Sequence, residues 1–148
     1  LKDGTGYEDT DVIIAYFDSL VSPLQFDIPG GEAYWPFRRV QAMTRSMLDG
    51  ISVWAREVIR PTNEQSPKII EHERRRANRL ADYFESIIGD SLLTGGINTP
   101  QLLLFCALDL ERRLPSLDWR NGRPNLAGWY TRMLNVQSIR ESLPSYEN

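Results

Sequence analysis

Apolar residues recur at helical spacing along most of this chain. Val12, Ile13, Tyr16, Phe17 and Leu20 follow Asp9-Thr10, either of which can cap a helix start, and Ser22-Pro23 closes the block. A longer stripe of Phe37, Val40, Thr44, Met47, Leu48, Ile51, Trp54, Ala55 and Val58 predicts one helix from about Ala33 to Ile59. Gly50 should loosen its middle, and Arg60-Pro61 should stop it. Ser66-Pro67 then opens a helix with Ala77, Leu80, Ala81, Phe84, Ile87 and Ile88 on one face and Glu71, Glu73, Arg74, Arg75 and Arg79 on the other, ending at Gly89.

The most apolar segment begins after Asn98. Its side chain can cap a helix, Pro100 fits the first turn, and Gln101 stands where a capping-box partner belongs. From Leu102 to Leu108 no polar face interrupts the sequence, which predicts a central post covered on all sides. An irregular stretch follows Leu114-Pro115 and contains Trp119. Arg123-Pro124-Asn125 then starts a short helix carrying Leu126, Trp129, Tyr130 and Met133, and one more helical turn runs from Gln137 to Leu143. The chain departs from helix in two places. Leu1 to Tyr7 reads as the tail of a strand with a glycine-containing turn, and Pro23 to Gly31, with Leu24 and Phe26 as anchors, reads as a linker.

Composition narrows the function classes. At 148 residues the chain can bury one ordinary core. A net charge of −3 supplies no broad positive field, which argues against nucleic acid or an anionic membrane as a partner. No stretch is long and apolar enough to span a bilayer, and the opening residues carry no signal-peptide pattern; they read as a chain entered mid-domain. Cys106 is the one cysteine, so no disulfide framework is expected within the chain, which suits the cytoplasm. Its place in the apolar helix predicts an inert, buried thiol. His72 falls on a charged helix face without further ligands, so no metal site is expected. The neighbouring arginines have Glu71 and Glu73 as pairing partners. Gly30-Gly31 and Gly95-Gly96 lack the spacing of a phosphate loop.

Taken in order, Asp9-Thr10-Asp11-Val12-Ile13, Ser66-Pro67, the capped helix from Asn98, and Pro124-Asn125-Leu126 with Trp129 resemble the glutathione transferase family, in its bacterial branch. The resemblance implies an all-α helical bundle around a buried central helix, with the remnant of a thioredoxin-like α/β domain at the start. Residues 1–22 would close the thioredoxin-like, glutathione-binding domain, 23–32 would be the linker, and 33–148 would form the helical carboxy-terminal domain.

The same resemblance implies sites. Asp9 and Thr10 occupy the place of the family's acidic-then-hydroxyl pair, which grips the γ-glutamyl end of glutathione; Thr stands where Ser is usual. The chemistry fits, since amides and a hydroxyl at a helix start can donate to a carboxylate and an acidic side chain can accept from an ammonium. Tyr34, Phe37, Arg38 and Gln41, in the first turns of the long helix, would line the pocket for a small electrophile. Asn98 and Gln101 replace the family's usual Ser or Thr and Asp, and are read as a structural cap.

The implied reaction joins the glutathione thiol to an electrophile, with glutathione as co-substrate, no separate cofactor, and a homodimer as the usual assembly. The family's thiol-activating Ser, Tyr or Cys belongs to a stretch with no counterpart in these residues, so this chain by itself is expected to be inert toward glutathione. The alternative is a non-catalytic, transferase-like helical module for protein–protein interaction.

Overall fold

The computed structural model describes residues 4–24, 26 and 28–144. Seven α-helices follow in order: α1 (Thr10–Asp18), α2 (Tyr34–Ile59), α3 (Pro67–Ile87), α4 (Ser91–Thr94), α5 (Thr99–Asp109), α6 (Pro124–Leu134) and α7 (Gln137–Ser142), with 3-10 turns at Gly31–Ala33, Thr62–Glu64 and Leu110–Arg112. Among the described residues there is no strand. The strand expected over Leu1 to Tyr7 falls partly outside the described residues, and positions 4–7 form none. A strand needs a neighbour to bond to, and none is present here.

The predicted boundaries follow local chemistry. Ser66 Oγ accepts from Ile69 N at the start of α3, with Pro67 in the first turn. Helix α2 stops one residue before Arg60-Pro61. Asn98 Oδ1 accepts from Gln101 N at 3.0 Å and so caps α5. The other half of the expected capping box does not form: Gln101 Nε2 reaches the carbonyls of Leu92 and Gly95 at 3.3 and 3.4 Å. A glutamine here thus ties α5 to the α4 loop, because its amide is a donor and the nearest acceptors lie in that loop.

Helix α2 packs along α5 on one side and α3 on the other. The core between them holds Ile51, Trp54, Ala81, Phe84, Leu104 and Leu108, all buried. Trp119 and Trp129 close the core, and each indole N–H finds a backbone carbonyl, Leu108 O at 3.0 Å and Leu93 O at 2.7 Å. Phe105 and Tyr130 stack with ring centroids 5.1 Å apart.

Two expectations need correction. Helix α5 is not covered on all sides, because Cys106 is exposed and Leu102 is only half-buried. The other helices enclose α5 incompletely, and this strip is left open. Gly50 does not loosen α2 either. A Cβ built there would collide with the Glu73 carboxylate and crowd Arg76, so this glycine lets the Glu73 side chain of α3 approach α2 closely.

Helix α1 stands apart. Its packing on the body is slight, and Val12, Ile13, Phe17 and Leu20 are exposed. Buried Asp18 fastens the segment after it, accepting from Phe26 N at 3.0 Å.

Candidate functional site

The start of α1 meets the first three turns of α2, and polar side chains gather there. Asp9 is the N-cap of α1; its Oδ1 accepts from Asp11 N at 2.8 Å. Its backbone has φ 74° and ψ 135°, a region that non-glycine residues rarely enter and that costs about 1–3 kcal/mol. The Asp11 N–H, aided by the Arg45 guanidinium of α2, holds the Asp9 carboxyl below its ordinary range against a modest opposing desolvation. Asp9 is therefore an anion at neutral pH, set at the positive end of a helix. Thr10, the first residue of α1, is exposed beside it.

A chain of contacts runs from this cap to α2. Arg45 Nη1 lies 3.2 Å from Asp9 Oδ2, and Arg45 Nη2 lies 2.5 Å from Asp11 Oδ1. Gln41 Nε2 donates to the same Asp11 oxygen at 3.3 Å, and Arg38 Nη1 donates to Gln41 Oε1 at 2.9 Å. Positions 38, 41 and 45 recur at helical spacing, which puts all three on the side of α2 that faces α1.

Of the residues the sequence nominated, the structure thus joins Asp9, Arg38 and Gln41 through Asp11 and Arg45. Those two connecting residues were missed. Asp11 could have been suspected as a second acid in the first turn of a helix, but nothing in the sequence pairs it with a residue 34 positions away.

Arg38 and Gln41 also line a cleft of about 270 Å³ between α1, α2 and the segment after α1, together with Asp11, Asp18, Ile14 and Phe26. Phe37 and Tyr34 do not line it. Phe37 is 4% exposed and turned into the protein, whereas Tyr34 is at the surface with its ring edge-on to Trp35 at 4.9 Å. A larger depression of about 580 Å³ follows Pro67, Glu71, His72, Arg75 and Arg79. All its walls belong to α3, so it has no opposing side to enclose a small molecule, and Glu71 there is held at about 2 by Arg74 and Arg75.

No family model matches the chain. It is 25% identical over 146 residues to the GST-like protein YibF of Escherichia coli, described as uncharacterized, covering 97% of this chain and 72% of that one. A glutathione S-transferase of Methylobacillus flagellatus, solved with glutathione bound, is 26% identical with a TM-score of 0.83, over 97% of this chain and 73% of the other. Over nearly its whole length the chain is thus similar in sequence and fold to a glutathione S-transferase. A transferase family member from Pseudomonas fluorescens Pf-5, with S-(propanoic acid)-glutathione bound, shares this transferase fold at a TM-score of 0.86 and 24% identity, over 97% of this chain and 74% of that one.

Among the described residues of this chain, no group of three or more His, Cys, Asp or Glu side chains could hold a metal ion. No described helix is long and apolar enough to cross a membrane.

Proposed function

We propose that this chain is part of a glutathione transferase and that the start of α1 holds the γ-glutamyl end of glutathione. The observation that carries the reading is Asp9, an ionised cap whose side chain is still half-exposed after its contacts to Asp11 and Arg45. A carboxylate has about four acceptor positions, so Asp9 can still take a hydrogen bond from the α-ammonium of glutathione. The first-turn amides and the Thr10 hydroxyl offer donors for the neighbouring α-carboxylate. The relatives that bind glutathione and its conjugate support glutathione as the ligand.

In this reading residues 1–22 belong to a thioredoxin-like unit, 23–32 to a linker and 33–148 to the helical domain. The exposed apolar residues Val12 and Phe17 of α1, and Leu20 just after it, support it, since a neighbouring unit would cover them. The small electrophile would lie in the cleft beside Arg38 and Gln41 of α2. A homodimer belongs to the same reading and is tested by the mass of the protein in sedimentation equilibrium.

The test is glutathione affinity measured by titration calorimetry. Asp9→Ala should weaken binding about tenfold or more, the worth of a hydrogen bond between charged groups. Thr10→Ala should weaken it less, and unchanged affinity in both variants would contradict the assignment.

A further inference from the structure

Among the described residues, Arg45 is the side chain that pairs with both Asp9 and Asp11 across the gap between α1 and α2. It reaches them from the middle of α2, 34 and 36 positions along the chain, so it fixes a tertiary relationship and not a local turn. The Asp9 backbone is in a strained conformation that survives only where its surroundings hold it. Asp11 stands two residues on, and without a cation between them the two carboxylates would repel. One guanidinium against two carboxylates leaves one net negative charge, which is what an incoming ammonium requires.

We propose that Arg45 is a positioning residue for the γ-glutamyl site: it holds the Asp9 carboxylate where the glutathione ammonium binds, with Asp11 as its anchor. The proposal rests on the reading of Asp9 given above. It also joins the two ends of the site. Asp11 accepts from Gln41, and Gln41 accepts from Arg38, so Arg45 and the electrophile end share Asp11 as their anchor.

A residue that merely supported the fold would affect every ligand alike, so the test compares two. Glutathione carries the α-ammonium; glutaryl-cysteinylglycine has hydrogen in its place and is otherwise the same. The wild-type protein should prefer glutathione by about tenfold, as expected for one charge-assisted hydrogen bond. Arg45→Met keeps the apolar stem and should reduce the preference to threefold or less, by weakening glutathione alone. Arg45→Lys, which keeps a cation, should restore most of it, and Asp11→Asn should reduce it partly.

If Arg45→Met and Asp11→Asn keep the wild-type preference while the wild-type protein shows it, Arg45 does not position Asp9 and the proposal fails alone. If the wild-type protein binds both ligands equally, or neither, the γ-glutamyl assignment itself fails and takes the proposal with it. Arg45 is partly exposed, and circular dichroism on each variant separates lost preference from lost fold.

Discussion

Gln41 Nε2 lies 3.3 Å from Asp11 Oδ1, and this hydrogen bond links the first turns of α2 to the first turn of α1. Gln41 is 6% exposed, so its amide is withdrawn from water and depends on Asp11 and Arg38 for partners. Gln41→Leu should therefore destabilise the protein by about 1–2 kcal/mol. In a double-mutant cycle with Asp11→Ala the coupling should be about 0.5–1.5 kcal/mol in urea unfolding. Additive effects of the two substitutions would show that the bond contributes nothing.

Gly50 makes a prediction whose sign depends on a second residue. In an exposed helix, Gly to Ala stabilises by about 1 kcal/mol. Here the new methyl would displace the buried Glu73 carboxylate, which pairs with Arg76, itself bonded to Ser46. Gly50→Ala should lower stability by about 1–3 kcal/mol. In a Glu73→Ala background the same change should raise it, as read by paired chemical denaturation. A stabilising effect in both backgrounds would remove the close-approach role of Gly50.

Tyr130 and Asp109 form a buried pair, with the phenol donating to Asp109 Oδ1 at 2.5 Å and Arg112 Nε lying 2.8 Å from the same oxygen. Burial, with the Asp109 contact adding to it, pushes the Tyr130 phenol up from 10.0 to about 12. A raised folded-state value means that its contribution is complete below pH 10 and is lost as the pH climbs toward 12. Titration of tyrosine absorbance near 295 nm should show an ionisation step at about pH 12, and Tyr130→Phe should abolish that step. The same variant should cost about 1–2 kcal/mol, since Asp109 keeps Arg112 but loses one partner.

Cys106 should react in the folded state. It is exposed on α5, yet partial desolvation, with Asp109 adding to it, raises its thiol above the ordinary range. A disulfide reagent should label it to completion without denaturant, more slowly than a free cysteine at pH 7, with the rate rising steeply toward pH 9. Protection until unfolding would show that the thiol is covered.

The longer helices were largely legible because their ends carried local punctuation, whereas the short α4 lies in a stretch that reads as a loop. Ser66-Pro67, Asn98 with Pro100, and Arg60-Pro61 signal starts and stops through local hydrogen bonds and proline geometry, which need no knowledge of the rest of the fold. Burial was less legible. Cys106 and Trp54 are both apolar residues on apolar stripes, but one is exposed and the other 2% exposed, because coverage depends on which neighbouring helix arrives.

The candidate site shows the same division. Asp9 and Thr10 could be nominated from their order before a helix, whereas Arg45 and Asp11 could not be paired until the two helices were placed. The cap on α6 is similar: Glu85 of α3 accepts from Asn125 N at 3.1 Å and Leu126 N at 2.7 Å, a partner about forty positions away that the sequence does not indicate.

The central claim is that the start of α1 reads the γ-glutamyl end of glutathione, and amide chemical shifts test it most directly. Titrating glutathione into labelled protein should move the resonances of Asp9, Thr10 and Asp11. Cysteinylglycine, which lacks the γ-glutamyl group, should leave them in place. Equal shifts with both ligands, or shifts confined to α3, would contradict the account.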